Sequence, residues 1–118
     1  LRNPVIRRFV LREDMKLEKK AGISALCEYS LLSDNVYPTY AVTKKELKDS
    51  GVKAEKQVSE LEEIGCVVLE LGYFIDFLGK GFQDPLSVVL SLTGEEQEEE
   101  RVDISINEML EEYVWSKD

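Results

Sequence analysis

The chain contains no histidine, and this absence limits the chemistry that it can perform. Histidine is the commonest general base, the commonest zinc ligand and the usual partner of a serine or cysteine nucleophile. Phosphate-binding loops are also missing, since neither G-x-x-x-x-G-K-[ST] nor G-x-G-x-x-G follows a predicted strand. We therefore predict a binding protein rather than an enzyme, with no catalytic residues, no cofactor and no metal.

Cysteine is almost as scarce, with Cys27 and Cys66 alone in 118 residues. Two cysteines are too few for a disulfide scaffold, and free cysteine is usually buried, so we interpret both as core residues of a protein in a reducing compartment. No apolar run approaches the ~18 residues of a membrane span, and the first residues lack the apolar stretch of a signal peptide. We expect a cytoplasmic protein that does not enter a membrane, although a chain beginning at Leu1 can be a fragment.

Basic residues are few and unevenly placed. The net charge is −9, but residues 1–60 carry 12 Lys/Arg against 9 Asp/Glu, a net +3, whereas residues 61–118 carry 3 against 15, a net −12. The overall acidity argues against a nucleic-acid partner, yet the first half of the chain collects the positive charge. A hydrophobic content of 43% is sufficient for one compact domain of this length.

The first forty residues are predicted to combine a strand and a helix. Residues 5–11 mix apolar residues with arginine, which favours a short strand or an extended arm with outward arginines. Apolar positions recur at spacings of three and four over residues 19–33, which predicts a first helix. Residues 36–40 are interpreted as an extended linker, because Pro38 keeps the preceding residue away from helical angles.

A helix-turn-helix is predicted next. Thr43 and Glu46 match the capping box at the start of a second helix, which ends before a tight turn at Gly51. A third helix is predicted over residues 53–64, with Gly65 as its stop. Two short helices joined by a glycine-containing turn constitute a helix-turn-helix.

The residues after this motif predict a β-hairpin. Residues 66–78 are rich in β-branched and aromatic residues, which is typical of a strand, and a second strand is predicted over residues 86–92. A hairpin directly behind a helix-turn-helix is a wing. The predicted fold class is therefore α+β, a winged helix-turn-helix with an additional C-terminal helix.

The C-terminal quarter predicts a linker and then an amphipathic helix. Residues 94–100 contain five glutamates and no apolar residue, which favours a solvated linker. Ser105 and Glu108 match the capping box again. An apolar stripe follows, and it either docks on the winged domain or forms a homodimer: Ile106, Met109, Leu110, Tyr113 and Val114. The predicted division is 1–18, a basic arm or strand; 19–93, the winged helix; and 94–118, the acidic linker and C-terminal helix.

Five short motifs occur in the order GISAL (22–26), YPT (37–39), KEL (45–47), GV (51–52) and VSELEEIGCV (58–67). With them, residues 9–71 resemble the N-terminal helix-turn-helix domains of phage and plasmid replication initiators and replisome organisers. The chain departs from that family at 52–57, where VKAEKQ replaces the usual Ser/Thr-x-Arg/Lys-Thr. The resemblance implies a protein that binds double-stranded DNA in phage, plasmid or bacterial replication or transcription.

The candidate DNA contacts fall on three segments. The residues of the third helix that lie opposite its apolar face would contact base edges: Lys53, Lys56, Gln57 and Ser59. The second helix would bring three lysines near phosphates, namely Lys44, Lys45 and Lys48. The N-terminal segment carries Arg7, Arg8 and Arg12. These arginines would either bind phosphates or protect a strand edge from pairing with another chain.

Two alternatives remain open. Glutamates on the third helix would be repelled by a duplex, so the chain is also compatible with an acidic winged-helix module for protein interaction. Such a module would be an adaptor or an inhibitor of a host enzyme that does not bind DNA. The second alternative concerns four aromatic residues, Tyr73, Phe74, Phe77 and Phe82. They form either the core of the hairpin or a dimer contact, which we favour, or a platform on which bases stack.

Overall fold

A computed structural model of the chain describes residues 2–34, 37–52 and 63–115. Within these ranges the elements are β1 (Val5–Leu11), α1 (Gly22–Tyr29), β2 (Thr39–Val42), α2 (Lys44–Ser50), β3 (Cys66–Leu71), a 3-10 turn (Phe77–Gly79), α3 (Pro85–Ser91), α4 (Gly94–Glu98) and α5 (Glu100–Tyr113). This part of the chain is a mixed fold of three strands and five α-helices, which confirms the α+β class.

The three strands form one sheet in the order β1-β3-β2. β1 runs antiparallel to β3, and β2 runs parallel to it, so that Val68 lies between Phe9 and Tyr40. All six residues of β3 are buried, because this strand is central in the sheet and both of its faces are covered. The run of apolar residues from Cys66 onward therefore predicts a strand correctly.

Different helices cover the two faces of the sheet, because successive side chains of a strand point to opposite faces. On one face Phe9 and Val68 pack with Leu47 of α2. On the other face a Cβ at Gly22, the first residue of α1, would lie 3.8 Å from the Leu69 side chain. α1 packs in turn against α3 and α5. The sheet thus separates α2 from the remaining helices.

The start and end of α2 confirm the sequence prediction. The Thr43 hydroxyl accepts from the Glu46 amide at 3.3 Å, and the Glu46 carboxylate accepts from the Thr43 amide at 2.9 Å. Gly51 ends the helix with φ 80°, a left-handed conformation that glycine adopts without a steric penalty. Val52 then returns to the core beside Leu47.

The prediction of a second wing strand over residues 86–92 is wrong, because these residues lie almost entirely in α3. Asp84 caps this helix by accepting from the Ser87 amide at 3.2 Å, and Pro85 occupies its first turn, where a missing amide hydrogen costs nothing. β3 also ends at Leu71 instead of continuing to residue 78. In the described residues its partners are β1 and β2, and the predicted hairpin is not present.

Other boundaries also differ from the prediction: residues 39 and 40, expected in an extended linker, begin strand β2. Residues 94–100 were expected to be a linker, but they contain α4 and the first residue of α5. α5 begins at Glu100, and Ser105 is a buried residue inside it rather than its cap. The first helix is shorter than residues 19–33, because Lys20 forms β-bridges to Tyr40 and Phe82 before α1 begins.

The C-terminal stripe packs within the chain. Ile106, Met109 and Leu110 join the apolar cluster of α1 and α3. Docking on the preceding domain, the first of the two expectations, is therefore observed for these three residues. A homodimer through α5 would need other side chains of this helix, and it stays a prediction.

Candidate nucleic-acid interface

The three candidate lysines of α2 lie together on one side of the helix. Leu47 is the buried residue of α2, and it fixes the rotation of the helix against the sheet. At about 100° per residue, Lys44, Lys45 and Lys48 fall within an arc of about 100° to one side of Leu47. All three are exposed, and we call them the lysine ridge. Among the described residues none of the three forms an ion pair.

The carboxylates of α2 lie on its other side. Glu46 and Asp49 line a cavity of about 380 Å³ between α2, β2 and residues 16–19. The Lys19 ammonium donates to Glu46 at 2.9 Å, and this hydrogen bond holds the pKa of the carboxyl below its usual range. The negative charge of Glu46 is thereby compensated away from the ridge.

The candidate arginines of β1 do not form one patch. The Arg7 guanidinium lies 5.4 Å from the Phe9 ring centroid, which places it on the α2 face of the sheet, and it donates to Glu70 at 2.6 Å. Arg8 points to the opposite face, 3.7 Å from Glu96 of α4. Arg12 is exposed just after the strand. Of the three arginines, these contacts place only Arg7 on the same face as the lysine ridge. Its ion pair with Glu70 partly neutralises its charge.

The four candidates of the predicted third helix are Lys53, Lys56, Gln57 and Ser59. All four lie outside the described residues. The description ends at Val52 and resumes at Glu63, and residues 63–65 are not helical. The segment that carries these candidates therefore follows the ridge directly in the chain.

The acidic surface lies across the sheet from the ridge. Residues 94–113, which span α4 and α5, carry nine carboxylates and a single basic residue, Arg101. The Arg8 contact with Glu96 places α4 on the face opposite to α2. The lysine ridge and the carboxylates of α4 therefore lie on opposite faces of the sheet.

The aromatic residues divide between core and surface. Tyr29, Phe77 and Phe82 pack together, with Tyr29 edge-on to each of the other two rings at 5.1 Å. Phe82 is buried, so it cannot stack on a base. Tyr113 joins this cluster at 5.6 Å from Phe77 but stays 42% exposed. The sequence placed Tyr113 on a buried stripe, and no local signal indicated that its ring lies at the edge of the core.

The two cysteines are weak nucleophiles in the folded chain. Both thiols are free, and burial raises the pKa of Cys27 to about 11 and also raises that of Cys66. Very little nucleophilic thiolate is therefore present at neutral pH. Among the described residues no group of three or more Cys, Asp or Glu is arranged to hold a metal ion. No helix in the same part of the chain is both long and apolar enough to cross a membrane.

Comparison of the chain with protein-family models, with curated proteins and with solved structures gives no match. A functional assignment therefore depends on the geometry of the described residues and on the sequence.

Proposed function

We propose that the chain binds double-stranded DNA through the lysine ridge and the segment that follows it. The winged helix is part of this proposal, with the antiparallel pair β1 and β3 in place of the expected hairpin. The observation that carries it is the ridge itself: three exposed lysines on one side of α2 without a carboxylate partner in the described structure. Unpaired lysines bind phosphates with release of counterions, which is the main source of affinity for a duplex.

The negative net charge of the chain is concentrated away from the lysine ridge. The carboxylates of α4 lie beyond the sheet, two layer spacings of about 10 Å each from α2. The Debye length at physiological salt is about 8 Å, so most of their repulsion would be screened at the ridge. Arg7 also lies on the ridge face, but its charge is paired with Glu70, so the attraction for phosphates rests on the three lysines.

The sequence after the ridge supports base contacts in addition to phosphate contacts. Lys53, Lys56, Gln57 and Ser59 have side chains that hydrogen-bond to base edges or phosphates. With the resemblance of residues 9–71 to replication proteins, these residues favour a role in phage, plasmid or bacterial replication or transcription. The protein is then a DNA-binding module without enzymatic activity.

Fluorescence anisotropy with a labelled random duplex tests the proposal. If three phosphates are contacted, the affinity should fall roughly 40-fold between about 50 and 200 mM salt. The variant Lys44→Glu/Lys48→Glu should lose at least about tenfold in affinity at the lower salt, since it removes two phosphate contacts.

The matched control is Lys80→Glu/Arg101→Glu, which changes the net charge by the same amount away from α2. It should bind DNA within about twofold of the unmodified chain, because phosphate contacts act locally. Equal losses in the two variants would mean that only net charge matters, and the ridge would not be the interface. No binding at the lower salt would instead favour the acidic protein-interaction module.

Lys53→Glu/Lys56→Glu tests the segment after the ridge separately. If these lysines contact DNA, this variant should weaken binding as much as the ridge variant while the far-ultraviolet circular dichroism stays unchanged. An unchanged affinity would confine the interface to α2 and β1.

A further inference from the structure

Glu70 is a charged residue at the centre of the sheet. It lies in β3, the middle strand, and only 3% of its side chain is exposed. Its neighbours in the adjacent strands are Arg7 of β1 and Val42 of β2. A buried carboxylate is costly unless it is paired, and replacing a buried ion pair by apolar residues is often neutral or stabilising. Stability alone therefore gives little reason for a glutamate at this position.

Arg7, the partner of Glu70, is held from two directions. Its Nε donates to Oε1 of Glu70 at 2.6 Å, and its guanidinium carbon lies 5.4 Å from the centroid of the buried Phe9 ring. The Arg7 side chain nevertheless stays 59% exposed. A guanidinium has five N–H donors, and the four on the two Nη atoms make no hydrogen bond or ion pair with the described residues. Arg7 is thus an oriented, exposed group with unused donors.

The register of the sheet places Arg7 near the start of α2. Arg7, Glu70 and Val42 lie side by side in the three strands, on the face that α2 covers. Neighbouring strands are about 4.8 Å apart, so the backbone of Arg7 is about 10 Å from that of Val42. α2 begins at Lys44, two residues later. Phosphates of one DNA strand follow each other at about 3.4 Å along the axis, so a separation of this size spans about three of them.

We infer that Glu70 is a positioning residue that orients Arg7 so that its Nη atoms donate to a phosphate of the duplex. This role rests on the DNA binding proposed above and adds both residues to that site. The two Nη atoms form a planar pair of donors that matches two oxygens of a phosphate. The ion pair carries no net charge, so it supplies a directed hydrogen-bonded contact, whereas the long-range attraction comes from the lysine ridge.

Removal of the whole pair tests the contact without a change in net charge. Arg7→Gln/Glu70→Gln should bind a labelled random duplex at least about fivefold more weakly in fluorescence anisotropy, because it loses hydrogen bonds to a charged group. The matched control is Arg8→Gln/Glu96→Gln, which removes the Arg–Glu pair on the opposite face of the sheet. Glutamine keeps the capping box at Thr93. The control should bind within about twofold of the unmodified chain.

Two variants of Glu70 separate its positioning role from its charge. Glu70→Gln and Glu70→Met lose the same negative charge and have side chains of similar length, but only glutamine keeps an oxygen that accepts from the Arg7 Nε. If Glu70 orients Arg7, Glu70→Gln should bind the duplex at least about threefold more tightly than Glu70→Met. Circular dichroism and urea denaturation check that both variants are folded under the conditions of the binding measurement.

Arg7→Lys tests the same contact without altering the buried position. Lysine retains the charge at this exposed site but lacks the planar pair of donors. This variant should bind the duplex at least about threefold more weakly, with an unchanged circular dichroism spectrum. Arg8→Lys is its control on the opposite face and should bind within about twofold of the unmodified chain.

Three results would overturn the inference. Binding of Arg7→Gln/Glu70→Gln within about twofold of the unmodified chain, together with a loss in Lys44→Glu/Lys48→Glu, would exclude Arg7 from the interface and leave the proposed function intact. Equal affinities of Glu70→Gln and Glu70→Met would show that Glu70 acts by its charge alone. No binding of the unmodified chain at about 50 mM salt would contradict DNA binding itself, and the role of Arg7 with it.

Discussion

Gly65 lies where the chain passes close to the end of β1. Its amide donates to the Leu11 carbonyl at 2.7 Å, and a Cβ at this position would lie 2.3 Å from the Arg12 carbonyl oxygen. The sequence identified Gly65 as a helix stop, but the described structure gives a steric reason: the neighbour is backbone, which cannot rotate away. The requirement for glycine is thus set by a residue more than fifty positions earlier, which a local pattern cannot reveal.

We therefore expect Gly65→Ala to lower the free energy of unfolding by about 1–3 kcal/mol, the usual cost of overpacking. Urea denaturation followed by circular dichroism measures the change. Gly94→Ala is the control, because a Cβ there has no neighbour within 4 Å and alanine favours a helix. A Gly65→Ala variant as stable as the Gly94→Ala variant would contradict the close approach of residues 12 and 65.

The arginines of β1 also show that a local sequence pattern cannot identify partners that are distant in the chain. Adjacent residues of a strand point to opposite faces, so Arg7 and Arg8 separate as soon as residues 5–11 form a strand. The sequence left a strand and an extended arm open, and only the pairing with β3 decides between them. The partners Glu70 and Glu96 are far away in the chain, and the sequence pattern could not identify them.

At the scale of elements, the capping box shows what a local motif can and cannot predict. The pattern Ser/Thr-x-x-Glu starts α2 at Thr43 and α4 at Thr93, where both reciprocal hydrogen bonds are present. The same pattern at Ser105 lies inside α5, because burial of the apolar stripe extends the helix to Glu100. The motif is local, whereas the length of α5 is set by its packing.

The error in the predicted wing has a related cause. A short apolar run such as residues 86–92 is compatible with a strand and with a buried helix, and periodicity alone does not separate them. The adjacent Asp84 and Pro85 are a helix-start signal, and they would have favoured the helix that is observed. The partners of β3 could not be predicted, since both pairings are long-range.

Glu46 allows a pH test of α2. Its hydrogen bond with Lys19 lowers the pKa of the folded-state carboxyl, so the stabilisation is present above the unfolded pKa and is lost as the pH falls through the folded one. Glu46→Gln keeps a side chain that can complete the capping box but removes the charge. We expect it to cost about 0.5 kcal/mol at neutral pH, since the pair is partly exposed, and progressively less as the pH falls through the folded-state pKa.

The measurement is urea denaturation of both chains at neutral and acidic pH. Glu18→Gln is the matched control, because Glu18 lines the same cavity without an ion pair in the described part of the chain. A stability difference for Glu46→Gln that is the same at the two pH values would mean that the lost interaction is not electrostatic.

At the scale of the whole molecule, the sheet divides the charge. The sequence alone predicts a basic first half and an acidic second half, but it cannot show that the lysines of α2 and the carboxylates of α4 lie on opposite faces of the sheet. That division follows from α2 packing on one side of β3 and the other helices packing on the other. It leaves the lysine ridge of α2 on a face away from the acidic helices, as the proposed contact with a duplex requires.

Concentrating the carboxylates on α4 and α5 should also make the stability of the protein depend on salt. Like charges on one surface repel each other in the folded state, and this repulsion weakens as the Debye length falls from about 30 Å at 0.01 M to about 10 Å at 0.1 M salt. We expect the melting temperature to rise by about 3 °C over this range, which corresponds to ~0.5 kcal/mol for a domain of this size. Calorimetry at the two salt concentrations measures the shift.

The two ends of α5 provide a matched pair of variants for this effect. Glu111 and Glu112 lie in the last turn, where the helix dipole disfavours negative charge, and that turn contains no basic residue. Glu111→Gln/Glu112→Gln should therefore raise the melting temperature at low salt and reduce its salt dependence. Glu100→Gln/Asp103→Asn removes as much charge from the first turn, where the dipole favours it, so its gain should be much smaller. Equal gains at both ends would mean that total charge alone, not its position on α5, controls the stability.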